Sequence, residues 1–122
     1  MRAVRERTER SLRLFGLESA SALFGAALLV VSELVANAVR HARHSPEAEV
    51  TLHMTEHLLV VAVGDLDPRP LTPADLDRTS GQGLRTVADL ARTFGGDVRI
   101  EPVSDGRGKT VVVRFILPGG TP

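Results

Sequence analysis

Apolar positions recur every three to four residues in the first third of the chain, then switch to alternation and unbroken runs. Val4, Thr8, Ser11, Leu12 and Phe15 share one stripe of a helix over Val4 to Leu14. Arg2, Arg5, Arg7, Arg10 and Arg13 surround it, interspersed with Glu6 and Glu9, which fits a solvated face better than a basic patch. Gly16 is placed to end this helix. A second helix is predicted from Ser21 to His44, with Leu28, Val31, Val35, Ala38, Val39 and Ala42 inward and Pro46 as its stop. Glu49 to Thr55 alternates as a half-buried strand should. A tight turn at Glu56-His57 leads to Leu58–Val63, a continuous apolar run expected of a central strand, which Gly64 and Asp65 end. Thr72-Pro73-Ala74-Asp75 has the form of a short helix start. Leu84 to Phe94 repeats Leu84, Val87, Ala88, Ala91 and Phe94 on one helical face and stops at Gly95-Gly96. Two strands follow: Asp97 to Glu101, burying Val98 and Ile100, and Lys109 to Leu117, joined through a hairpin signal at Asp105-Gly106. This order predicts a single α+β domain over residues 1–122. Its architecture is a two-layer α/β sandwich, a mixed but mostly antiparallel sheet with helices on one face.

Composition narrows the class. A hydrophobic fraction of 43% suits a packed core, and with four Phe and no Trp or Tyr that core must be aliphatic. Zero formal net charge argues against a general nucleic-acid binder. The absence of cysteine removes any disulfide framework. The Arg-rich start, the run Ala20 to Val31 and the small residues Ala36-Asn37-Ala38 have the outline of a secretory leader. Glu6, Glu9, Glu18 and Glu33 interrupt it, and the run falls short of the ~20 apolar residues of a membrane span. A cytoplasmic chain without membrane contact is the expectation.

The most pointed chemistry lies in the second helix. Glu33 and Asn37 are four residues apart, hence one turn apart on one face. Asn is a poor helix-interior residue because its amide competes for backbone hydrogen bonds. A carboxylate beside a neutral oxygen ligand suits a proton acceptor next to a hard cation such as Mg²⁺. Two solvent-facing residues fit the helix equally well. Arg40, His41, Arg43 and His44 crowd the helix end, where the macrodipole favours cations, and capping or exposure explains both histidines better than metal binding. Asp65 ends the central strand, either as an ordinary turn-starting acid or as an acceptor for an exocyclic amine. Gly81-Gln82-Gly83 precedes a helix, so its backbone N–H groups and the helix dipole could meet an anion, although no Gly-Lys-Ser/Thr follows. Gly108-Lys109-Thr110 opens the last strand with an ammonium and a hydroxyl, which could reach a phosphate or form an edge charge.

Taken together, these pieces resemble the GHKL, or Bergerat-fold, ATP-binding superfamily. Glu33-Leu34-Val35-Ala36-Asn37-Ala38-Val39-Arg40-His41-Ala42 looks like its N box, and Asp65 stands where the first glycine box has its adenine-binding Asp. Gly81-Gln82-Gly83-Leu84 looks like the second glycine box and Gly108-Lys109-Thr110 like the last. Compact size and the His41-Ala42 ending look most like the anti-sigma-factor serine/threonine kinase branch. That resemblance implies ATP and Mg²⁺ as cofactors, with Asn37 as the metal ligand. It implies Glu33 as the base that takes the proton of an attacking serine hydroxyl. Asp65 would read the adenine amine, Gly81, Gly83 and Leu84 would belong to the phosphate-facing lid end, and Thr110 would sit close to the nucleotide. Asp67 and Arg69 replace both glycines of the family's Asp-x-Gly-x-Gly box, Pro68 and Pro70 stiffen it, and the lid from Leu71 to Ser80 is short. The family's first strand also has no counterpart before the first helix.

The implied function is an ATP- and Mg²⁺-dependent regulator. It would phosphorylate an anti-sigma-antagonist-like protein, bind a sigma factor, or do both, with a homodimer within the family pattern. The rival reading is a non-catalytic nucleotide-binding or protein-interaction module, which the altered first glycine box favours. A histidine-kinase ATPase domain is disfavoured because these residues leave no room for a dimerisation helix bearing a phosphoacceptor His.

Overall fold

In the computed structural model, residues 2–41, 48–65, 82–102 and 109–117 are described. Helix α1 (Arg2–Leu14) and helix α2 (Ala22–His41) precede strands β1 (Glu49–Met54) and β2 (Leu58–Asp65). Helix α3 (Gln82–Thr93) and strands β3 (Asp97–Pro102) and β4 (Lys109–Ile116) follow. The strands form one sheet in the order β1-β2-β4-β3, and all three pairings are antiparallel, with no parallel pair among the described residues.

Alternation along the strands decides which face meets the helices. Leu59, Val61 and Val63 of β2 and Val111, Val113 and Phe115 of β4 are buried and in register with one another. They pack beneath Val30, Val31, Leu34 and Val35 of α2 and Leu84, Val87 and Ala91 of α3 in one cluster that also holds Leu12 of α1. Each such aliphatic side chain contributes roughly 1.5–3 kcal/mol of burial free energy. The Phe94 and Phe115 rings meet edge to face, with centroids 5.8 Å apart, at the junction of α3 and β4.

Local chemistry sets the element ends. Glycines 16 and 95, with φ of 96° and 76°, close α1 and α3 in the same way. Gly16 N–H donates to Arg13 O and Leu17 N–H to Leu12 O; Gly95 N–H donates to Arg92 O and Gly96 N–H to Ala91 O, the paired bonds of a Schellman cap. Ser21 starts α2, its hydroxyl accepting from Phe24 N–H at 3.1 Å. The Thr55 hydroxyl accepts from the N–H groups of His57 and Leu58 and so shapes the β1–β2 turn. On α1, Glu9 pairs with Arg5 and Arg13, the solvated face the charge pattern predicts.

Several expected inward positions differ. Phe15 and Val39 are exposed, Leu28 is half-buried, and Leu23, Phe24, Ala26, Ala27, Val30 and Leu34 widen the buried arc of α2. The reason is that α2 packs on α1, α3 and β2 together, so a single stripe underestimates its contact surface. Val98 and Ile100 are only half-buried because β3 is an edge strand. The apolar segment is also longer than Ala20 to Val31: Ala22–Val39 has a mean hydropathy of 2.0, enough by length and composition to cross a membrane. Half of that window is buried inside the fold, which accounts for its apolarity. The expected helix start at Thr72-Pro73-Ala74-Asp75 and the turn at Asp105-Gly106 lie outside the described residues.

Candidate functional site

Strand and helix ends converge on one end of the sheet. The C-terminus of β2 and the start of β4 meet there, with Asp65 in register opposite Lys109 and Gly64 opposite Thr110. β1 begins at the same end, since Glu49 pairs with Gly64, and along the sequence only residues 42–48 separate the C-terminal end of α2 from it. β3 runs toward this end, from Asp97 opposite Arg114 to Pro102 opposite Lys109. The tight Gly95-Gly96 turn makes α3 run the other way, so its N-terminus at Gln82 points to the Asp65–Lys109 end. No acidic residue occupies the first turn of α3, which leaves the positive end of its dipole uncancelled there.

Glu33 and Asn37 share a helical face with the buried Ala26 and Val30, at the border of the buried arc. Both are half-buried. Among the described residues neither side chain has a hydrogen-bond or ion-pair partner, in contrast to Ser32 beside them, whose hydroxyl donates to Leu28 O at 2.9 Å. No buried side-chain polar atom lacks a partner among the described residues, so both groups remain accessible to a ligand. That is the condition a metal ligand and a proton acceptor need.

The other predicted positions divide. Leu84 is buried and packs in the core. Gly83 lies within the first turn of α3, one residue inside its start, whereas Gly81 lies outside the described residues. Asp67 and Arg69 also lie outside them. Thr110 falls on the sheet face opposite the helices, its Oγ1 3.3 Å from where a Cβ on Gly64 would stand. The residue that faces the helix layer is its neighbour Lys109, only 8% exposed.

The profile of the family described as histidine kinase-, DNA gyrase B-, and HSP90-like ATPase matches residues 26–119. The chain belongs to this ATPase family. Among 68 similar solved chains is the histidine kinase AdeS of Acinetobacter baumannii, at a TM-score of 0.61 and 17% identity. The likeness covers 75% of this chain and 45% of that one, so the chain spans less than half of the kinase it resembles in fold. No curated protein gives a match. For an ATPase of this family, the convergent sheet end with Glu33, Asn37, Asp65 and the α3 N-terminus is the candidate nucleotide site.

Lys109 is the site residue that sequence reasoning undervalued. Its signal was present: counting back by twos from Phe115, Val113 and Val111 lands on 109, on the interior face. A lysine at a strand start reads as an edge charge, and only the paired neighbours on both sides show that it is enclosed.

Proposed function

We propose that this chain binds ATP with Mg²⁺ at the convergent sheet end and acts as a regulatory serine/threonine-protein kinase. The observation that carries the reading is the unengaged Glu33–Asn37 pair on α2, within a family match that spans residues 26–119. The residues suit the ion. Among the described residues no cluster of three or more His, Cys, Asp or Glu could hold a metal alone. Mg²⁺ commonly uses one or two protein oxygens, completing its shell with waters and phosphate oxygens. Asn37 supplies a neutral oxygen of that kind, and the bound ion would offset phosphate charge. Asp65 would be the acceptor for the adenine amine, and the N–H groups at the α3 N-terminus, where Gly83 lies, would meet the phosphates, with Gly81 just before it in sequence.

Glu33 acts as the base. As a partner's serine oxygen bonds to the γ-phosphorus and the bond to the β-phosphate oxygen breaks, the hydroxyl proton passes to the Glu33 carboxylate and ADP leaves. Orientation and charge neutralisation carry most of such a transfer, so a site of few residues suffices. The protein substrate would be an anti-sigma-antagonist-like protein, with a sigma factor as the alternative partner, in the cytoplasm. The second reading is a nucleotide-gated interaction module without transfer. Asp67 and Arg69 in the first glycine box favour it.

Calorimetry with ATP, in Mg²⁺ and then in EDTA, tests the site on the parent chain and on Asn37→Ala. Mg²⁺-dependent binding is expected in the parent and lost in a variant of unchanged melting temperature. Equal affinity in the two chains removes Asn37 from the site. No ATP binding to the folded parent refutes the reading.

A further inference from the structure

β1 and β3 border the sheet, and their free edges are built differently. Thr55 N–H donates to Leu58 O across the β1–β2 turn, so the register of the pair makes Glu49, Thr51 and His53 bond toward β2. The N–H and C=O groups of Val50, Leu52 and Met54 then point to the open side, where no strand pairs with β1 among the described residues. Such unpaired groups are a template for another strand unless charge or proline blunts them. β3 is blunted: Asp97, Arg99 and Glu101 line one of its faces, and Pro102 ends it without an N–H. β1 has no proline and no Lys or Arg between Glu49 and Met54. Its sequence also complements itself. In an antiparallel copy bonded through Val50 and Leu52, each half-buried Val50 lies opposite the partner's Leu52 on the helix side of the sheet. On the outer side the same register sets the exposed Thr51 against the partner's Thr51, and the exposed Glu49 against the partner's His53 at both ends. Apolar, hydroxyl and carboxylate–imidazole pairs are all favourable opposite one another. A two-residue shift either way separates Glu49 from His53, and a one-residue shift turns the bonding groups away.

We infer that two copies of this chain join through their β1 edges about a twofold axis at Thr51. The two four-stranded sheets then form one continuous antiparallel sheet of eight strands. The contact is isologous: the bonds that Val50 and Leu52 of one copy make are repeated by the other, so the edge closes on itself instead of propagating. Glu49 and His53 fix the register, because only one alignment brings both unlike pairs together. A single strand edge is a small interface, so association is reversible at micromolar concentrations. The pairing needs no ligand and is independent of the nucleotide reading.

Sedimentation velocity of the nucleotide-free chain over the micromolar range reads the association. The parent is expected to pass from monomer to dimer as concentration rises. Thr51→Lys, at an exposed position, sets two ammonium groups opposite each other on the axis and should weaken dimerisation at least about tenfold, while its circular dichroism stays that of the parent. His53→Glu should weaken it comparably by opposing the partner's Glu49. Glu49→Lys combined with His53→Glu should restore it, since each end then pairs a lysine with a glutamate. Thr93→Lys is the control: it adds the same charge on α3, which packs on β3 and β4, and should leave the dimer as it was. A parent that stays monomeric overturns the inference, as does a dimer that Thr51→Lys leaves intact. A dimer that Thr51→Lys dissolves but the charge exchange fails to restore overturns the register.

Discussion

Replacing Gly96 by alanine should be among the most damaging single-methyl additions to this protein. Gly96 sits between α3 and β3, where its N–H donates to Ala91 O at 2.8 Å to complete the helix cap. A Cβ there would stand 1.6 Å from Arg114 O, 2.5 Å from the Arg114 carbonyl carbon and 3.2 Å from Phe115 Cα. The obstacle is backbone in β4, a strand bonded on both sides and carrying the fully buried Val113 and Phe115, so no side chain can rotate away. Overpacking typically costs 1–3 kcal/mol, and a backbone clash of this depth belongs at the upper end, about 3 kcal/mol. At roughly 3–5 °C per kcal/mol for a chain of this size, Tm should fall by about 9–15 °C. Gly25→Ala is the matched control: it lies on the exposed side of α2 with nothing within 4 Å of its would-be Cβ. Alanine there should gain roughly 0.5–1 kcal/mol from helix propensity. Thermal and urea unfolding of the two variants measure both effects. A Gly96→Ala chain melting within about 2 °C of the parent would refute the close approach of α3's end to β4.

Two further predictions test the site and the surface. Glu33→Gln should keep Mg²⁺-ATP affinity within about twofold while serine phosphorylation of a cognate partner falls by about 10²–10⁴-fold, the worth of a general base; transfer at the parent rate in a radiolabel assay would remove Glu33 from that role. On the outer face, Arg114 Nε donates to Asp97 at 2.8 Å and a second guanidinium nitrogen completes the pair. That hydrogen bond and the guanidinium charge hold the Asp97 carboxyl below its ordinary value of 3.8. The folded state therefore gains stability above the unfolded value and loses it as pH falls through the lowered one. The Tm advantage of the parent over Asp97→Asn should be present at neutral pH and shrink below about pH 4. It should be small throughout, because the two side chains are 37% and 46% exposed. An advantage that grows on acidification would invert the assignment.

Much of this protein is written in local pattern. Gly16 and Gly95 each follow a periodic helix, and only a residue without Cβ takes their left-handed conformation at no cost, so the ends of α1 and α3 are decided within a few residues. Alternation in Val50, Leu52 and Met54 and the unbroken run of β2 mark an edge strand and a central one, since the outward positions of β1 are exposed whereas those of β2, flanked by strands on both sides, are half-buried. Glu33 and Asn37 announce their shared face through spacing alone. The tertiary structure decided what spacing cannot carry. Whether Val39 faces in or out depends on how many neighbours surround α2, and three elements do. Whether Lys109 is an exposed edge charge or an enclosed one depends on the strands paired to both sides of β4, which spacing within β4 does not report. The meeting of Asp65, Lys109, the end of α2 and the start of α3 follows from the order β1-β2-β4-β3, which is set by contacts between residues far apart in the chain. Helix and strand periods report the interactions of neighbours along the chain, but a site assembled from four segments exists only once the packed core holds those segments together.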